Sequence, residues 1–211
     1  MSLGEVGYFE CCLMLPSQEP RVVAWQARFF DQKARLITFQ TRLCAWLRAH
    51  GYALRERGWL PHVTLCRRPF QIVEWQKSFI RIPLYTGPLH LYESMGELTY
   101  RSVWSAPTTL PFEEIDHTAD IAFIIGGETL SQLYVHAFVA LAFKAPRLLD
   151  VWVPKPVLEG LDDLVIALNH MISALDTAGG CSLKAVSFHG DLVTFSSLGS
   201  PLLQWEMIVD V

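Results

Sequence analysis

Residues 129–143 are apolar on nearly every side of a helix, and no other stretch constrains the fold as strongly. Leu130, Leu133, Tyr134, Phe138, Val139, Leu141 and Phe143 leave no continuous polar face for water, so the helix needs protein packed around it. Thr129 can cap its first turn with Gln132 reaching back, the T-x-x-Q form of a capping box. Ser131, Gln132 and His136 interrupt the run, which is shorter than the roughly 18 apolar residues of a membrane span. It therefore reads as a core helix. Residues 120–125 form an apolar strand just before it, stopped by Gly126-Gly127. A second helix follows over 158–176, where Leu161, Leu164, Val165, Leu168, Ile172 and Leu175 make a stripe ending at Gly179-Gly180. Pro146, Pro154 and Pro156 bound an extended stretch between the two helices. Residues 183–188 and 203–209 read as a closing pair of strands. His136 and His170 fall on the apolar helices and are expected in the core or at an interface.

The first half has a different grain. Residues 6–15 and 21–30 read as strands around the turn cluster Pro16-Ser17-Gln18-Glu19-Pro20. Residues 33–50 give an amphipathic helix, with Leu36, Phe39, Leu43, Trp46 and Leu47 at helical spacing and Gly51 as its stop. A strand over 59–66, a short helix over 74–79, and strands over 89–92 and 98–104 complete this half. Residues 105–112, with two prolines, are the expected linker, and Glu113-Glu114 is expected to be a solvated pair beside it. The fold class is α+β, as two small α+β units over 1–108 and 109–211.

Charge separates the halves further. Residues 1–110 hold 13 Lys and Arg against 8 Asp and Glu, a net of +5, while 111–211 hold 4 against 13, a net of −9. Arginine dominates the basic half, as phosphate recognition favours. An acidic half has the composition to hold a cation. The five cysteines lack Cys-x-x-Cys spacing, so neither a disulfide framework nor a zinc knuckle is expected. With no basic segment followed by a long apolar run at the N-terminus, the expected compartment is the cytoplasm. The chain has no Gly-rich phosphate loop, no His-Glu-x-x-His and no Gly-x-Ser-x-Gly. Its seven tryptophans are dispersed, without the periodicity of a stacking platform for single-stranded nucleic acid.

In the first half, His62 and Thr64 alternate on a strand and share one face, with Val63 and Leu65 on the other. An imidazole can move protons near neutral pH, and the neighbouring hydroxyl can hold a phosphate oxygen. Arg67 and Arg68 supply positive charge beside them for phosphate or RNA. Four pieces occur in order: Pro20-Arg21-Val22-Val23-Ala24-Trp25, the amphipathic helix, Pro61-His62-Val63-Thr64-Leu65-Cys66-Arg67, and Leu91-Tyr92-Glu93-Ser94. Over about residues 6–108 this resembles the second half of the 2H phosphoesterases, the superfamily of LigT-like RNA 2′,3′-cyclic phosphodiesterases. The resemblance implies catalytic roles for His62 and Thr64 if the site is completed. Such enzymes use two His-x-Thr motifs and this chain has one. The expectation is therefore a binding or scaffold module, and the alternative is a phosphodiesterase completed by homodimerisation.

In the second half an acidic residue at a loop–strand junction, Asp120, and another at the end of the last strand, Asp210, are oxygen ligands suited to a hard divalent cation. The segments are Glu114-Ile115-Asp116-His117-Thr118-Ala119-Asp120-Ile121, Gly127-Glu128-Thr129-Leu130, the helix stripe from Leu161 to Leu175, Lys184-Ala185-Val186-Ser187-Phe188-His189, and Trp205-Glu206-Met207-Ile208-Val209-Asp210-Val211. Over residues 111–211 this order resembles the archease family, with a shortened stretch at 177–182. The resemblance implies a divalent cation, calcium or magnesium, held by Asp120 and Asp210 with the Val211 carboxylate as a third ligand. His117, Lys184 and His189 match other signature positions. It also implies a role in RNA ligation, tRNA splicing or RNA repair, through activation of an RNA-splicing ligase of the RtcB type. No membrane partner is expected.

Overall fold

In a computed structural model of the chain, the described residues are 4–30, 35–54, 58–97, 99–118, 120–154, 157–197 and 200–211. The chain forms two compact bodies, one of residues 7–84 and one of residues 1–6 with 85–211. Both mix helices with antiparallel sheets, so the α+β class holds. The division falls at 84/85, whereas the prolines of 105–112 place it at 108/109 in the sequence reading. The end of that segment is not a loose linker. Pro111 is buried, its carbonyl accepts from Gly126 N at 2.9 Å, and the Thr109 carbonyl accepts from Gly4 N at 2.9 Å.

The first body is a four-stranded sheet with order β3-β2-β1-β4: β1 Val6–Leu15, β2 Val22–Phe29, β3 His62–Arg67 and β4 Pro83–Tyr85. Strand β4 was not foreseen; at three residues it is too short to show a pattern. The small residues of β1 allow close pairing with β2. A Cβ at Gly7 would sit 2.1 Å from the Arg28 carbonyl oxygen, so only glycine fits there. Val23 and Ala24 are fully buried, and the Trp25 ring lies 5.5 Å from Phe9 and 5.7 Å from Phe79.

Helix α1 Arg35–Ala49 stops at Gly51, whose φ of +84° few other residues adopt. Its inward face is not the foreseen stripe. Leu36, Gln40, Cys44 and Leu47 are half-buried, while Phe39, Leu43 and Trp46 are exposed. The apolar residues of α1 spread over more than half its circumference, so one packed side cannot cover them all. Helix α2 Ile72–Ser78 completes this body.

The second body contains the hairpin β5 Leu89–Gly96 with β6 Thr99–Ala106, then β7 Phe112–Ile115 and β8 Ile121–Gly127. Helices α3 Leu130–Lys144 and α4 Leu161–Thr177 follow, then β9 Ala185–Ser197 and β10 Ser200–Asp210. The main sheet has order β7-β8-β10-β9. Helix α3 packs on β8 and α4, as its all-round apolarity demands: Leu133, Tyr134, Ala137, Phe138, Val139, Ala140 and Leu141 are buried. Thr129 Oγ1 accepts from Gln132 N at 3.2 Å, and Gln132 Oε1 accepts from Glu128 N at 2.7 Å, so the capping exchange closes one residue outside the cap. Strand β8 includes Gly126 and Gly127 instead of stopping before them. A Cβ at Gly127 would fall 2.7 Å from Leu133 N, because α3 starts against the strand end.

Between the helices, residues Pro146–Asp150 make a 3-10 turn where an extended run was expected; Pro146 sits at its first position, where the missing N–H costs nothing. Helix α4 begins at Leu161, because Asp163 Oδ2 accepts from Glu159 N and Gly160 N and fixes the start there. His136 is in the core, its Nδ1 2.5 Å from the Gly126 carbonyl oxygen, whereas His170 is exposed on the outer side of α4. Glu114, expected in solvent alone, receives Lys144 Nζ on both carboxylate oxygens at 2.8 and 2.7 Å. All five cysteines are free thiols. No helix among the described residues is long and apolar enough to cross a membrane.

Candidate functional site

Strands β8, β10 and β9 bring the two ends of the acidic half together. The β10–β8 register runs from Leu203 opposite Gly127 to Val209 opposite Ile121. Asp120 immediately precedes β8 and Asp210 ends β10, so the two lie at the same end of this antiparallel pair. Asp120 is half-buried and Asp210 exposed. On the other side of β10, Asp210 pairs with Ala185, and the Asp210 carbonyl accepts from Lys184 N at 2.9 Å. Lys184 Nζ then reaches the Val211 main-chain oxygen at 2.7 Å. Residues 90 positions apart in sequence are thus brought to the same end of the sheet because β10 pairs with β8.

Lys184 is a cation at the same strand end. The donor set of the pair is all oxygen, which fits a hard divalent ion with water filling its other positions. Among the described residues, however, no group of three or more His, Cys, Asp or Glu is assembled for a metal. The Val211 oxygen expected as a third ligand is engaged by Lys184 instead. His117 is exposed in the loop 116–120 that joins β7 to β8, and Ala119 of the signature lies outside the described residues. His189 is not part of the arrangement. It sits opposite Glu206, four residues along β9 from Ala185 and so about 13 Å from this end. There the register shifts between Gln204 and Glu206, and Trp205 Nε1 donates to the Gly190 carbonyl at 3.1 Å.

The His62 motif lies on the sheet edge of the first body. His62 is opposite Gln26 and Thr64 opposite Ala24, so the two side chains share a face as expected. Both are exposed, as are Val63 and Leu65 behind them, so neither side of β3 is covered. His62 Nδ1–H donates to the Leu60 carbonyl at 2.8 Å, which leaves Nε2 as the acceptor of the neutral ring. Arg67 is exposed opposite Val22. Arg68 is drawn to the β1–β2 turn, where its guanidinium lies 3.7 Å from Glu19 and its N–H donates to the Arg21 carbonyl at 3.2 Å. The only other histidine in residues 7–84 is His50, exposed just past the end of α1. Its ring packs on Trp46 with centroids 4.1 Å apart, and its Nδ1–H donates to the Trp46 carbonyl at 2.8 Å.

That Trp46–His50 pair was missed in the sequence, where tryptophans were weighed only against one another. The signal was the i, i+4 spacing of two rings on one helix. The structural division also sharpens the charge split. Residues 7–84 hold 12 Lys and Arg against 5 Asp and Glu, a net of +7, and the other body holds 5 against 16, a net of −11. No family model matches the chain, and neither a curated protein nor a solved structure matches it.

Proposed function

We propose that the second body binds a divalent cation, calcium or magnesium, through Asp120 and Asp210 and acts as an archease-like accessory to an RNA-splicing ligase of the RtcB type. The observation that supports this reading is the antiparallel pairing of β8 and β10, at one end of which lie Asp120, just before β8, and Asp210, the last residue of β10. Bound there, the cation would offset the repulsion of the carboxylates and hold the loop 116–120 against the end of β10. The chain's own part is to present that ordered end, with Lys184 anchoring Val211, to the ligase and favour a conformation competent for guanylylation. It forms no covalent intermediate. The reading belongs to a reducing cytoplasm, which suits five free thiols.

The test has two arms. Calorimetric titration with calcium and with magnesium should show one site that Asp120→Asn and Asp210→Asn each weaken tenfold or more. Addition of the protein to the host's RNA-splicing ligase should speed guanylylation, and the same variants should not. A protein that binds neither ion at millimolar concentration and leaves guanylylation unchanged removes the proposal.

A second reading, a 2′,3′-cyclic phosphodiesterase completed by a second copy, draws on one observation. His62 and Thr64 stand exposed on an edge strand whose outer side has no partner among the described strands. His62→Ala should then abolish hydrolysis of a cyclic phosphate RNA end, and an inactive parent protein ends this reading.

A further inference from the structure

Helix α1 turns its aromatic residues outward. Phe39 is 42% and Trp46 55% exposed, and at 100° per residue both lie on the same side of the helix as Arg42 and His50. From Phe39 to His50 this stripe runs about 16 Å along the axis. The half-buried residues Leu36, Gln40, Cys44 and Leu47 lie on a different side, so the stripe is not the face that packs. Its far end is preassembled: the imidazole of His50 is held against the indole by the hydrogen bond to the Trp46 carbonyl, just before the chain turns away at Gly51.

We propose that this face of α1 binds single-stranded nucleic acid, with the Trp46–His50 pair stacking a base and Arg42 holding a neighbouring phosphate. The occupant follows from charge and shape together. The body carries a net of +7, and 10 of its 12 basic residues are arginine. Arg21, Arg28 and Arg68 each pair with a glutamate, but among the described residues no carboxylate pairs with Arg42. A partner here has to meet a positive charge and two flat ring faces. A nucleotide strand satisfies both, because every base has a π-face and every link a phosphate. The side chain of Arg42 stands one helical turn before Trp46, the (i, i+4) relation that places two side chains next to each other. His50 Nδ1 is engaged by the Trp46 carbonyl, so Nε2 is the ring nitrogen that would meet a ligand. This inference concerns the first body and does not rest on the cation site of the second.

The test is fluorescence anisotropy with end-labelled 12-nucleotide single strands of RNA and DNA, and the matching duplex, on the full chain at several salt concentrations. At least one single strand should bind more tightly than the duplex. Trp46→Ala should weaken that binding about tenfold or more, with the salt slope unchanged. Trp46→Phe should retain most of it. Arg42→Gln should lower the slope of log K against log salt by about 0.7, the contribution of one phosphate contact on a single strand. Because both residues are exposed, the variants should keep the parent's circular dichroism. Asp210→Asn should leave the affinity unchanged, which separates this result from the fate of the cation site. Equal binding of duplex and single strands, or a Trp46→Ala variant that binds as the parent does, overturns the proposal. So does a Trp46→Ala variant that loses only self-association in sedimentation, since α1 would then be an interface between copies.

Discussion

Asn169 holds the edge of the main sheet in place, and its replacement tests the architecture on which the aspartate pair depends. Strand β9 is the outermost strand, so alternate main-chain groups of it face away from β10. At Val186 the amide of Asn169 meets those groups as a neighbouring strand would: Val186 N donates to Asn169 Oδ1 at 2.9 Å, and Asn169 Nδ2 donates to the Val186 carbonyl at 2.8 Å. The same Nδ2 also donates to the Val165 carbonyl one turn back on α4 at 3.0 Å. Asn169→Ala leaves a donor and an acceptor of a buried residue without partners. At about 1–3 kcal/mol for each such group, lowered because Asn169 is only half-buried, the expected loss is about 2–4 kcal/mol.

Asn169→Asp is the more incisive variant. It keeps the acceptor for Val186 N but sets a carboxylate oxygen against two carbonyl oxygens. Protonation restores a donor, so the folded-state pKa of the new side chain lies above its unfolded value. The variant should therefore approach the parent's stability below about pH 4 and lose ground as pH rises through the folded pKa. Urea unfolding followed by circular dichroism gives the global figure, and hydrogen exchange at the Val186 amide reports the local one without assuming that both bodies unfold together. An alanine variant within about 0.5 kcal/mol of the parent, or an aspartate variant with the same deficit at pH 4 and pH 7, would refute the reasoning.

Three further outcomes are expected. Gly127→Ala places a methyl 2.7 Å from Leu133 N and should cost about 1–3 kcal/mol, read as a lowered thermal midpoint. Burial pushes the Tyr134 phenol up from 10.0 to about 12, so its neutral form contributes stability that is full below pH 10 and lost as pH rises through about 12; absorbance titration should show one tyrosine that ionises late. Asp210→Asn should lose the stabilisation that excess calcium gives the parent; scanning calorimetry with and without calcium reads the difference.

The core helix and its cap were legible because α3 meets its surroundings on every side, and a sequence apolar on every side has only one solution. The antiparallel order of β9 and β10, the Gly51 stop of α1 and the shared face of His62 and Thr64 were legible for similar reasons: each rests on local periodicity or on one residue's conformational range. The inward face of α1 was not, since the stripe through Phe39, Leu43 and Trp46 competes with another through Leu36 and Leu47. Periodicity cannot say which one meets the rest of the protein. The boundary at 84/85 was hidden too, because β4 is too short for a pattern and the prolines of 105–112 serve the packing of β7 and β8. Asp120 and Asp210 carried a signal only in their order along the chain. Their arrival at one end of the sheet depends on the pairing of non-local strands, and each strand by itself is silent about it.

Both candidate surfaces occur where the chain departs from what folding alone would favour. Folding selects against acidic residues gathered at one strand end and against large rings left in water, yet Trp46 is 55% and Trp104 54% exposed. In the second body Tyr134, Phe138 and Trp205 are buried, and Glu114 has found Lys144. The exceptions do not share this body's solution. Lys184 stands beside Asp210 but spends its ammonium on the Val211 oxygen. On α1, the His50 ring is ordered against Trp46 instead of the indole being turned under cover. An ion between the carboxylates and a base on the rings would each remove the conflict at its own site. Because one conflict is acidic and lies in the body of net −11, while the other is aromatic and lies in the body of net +7, one ligand cannot resolve both. A cation should therefore stabilise the second body without altering the affinity of α1 for a nucleotide strand, and a strand should quench Trp46 with no cation present.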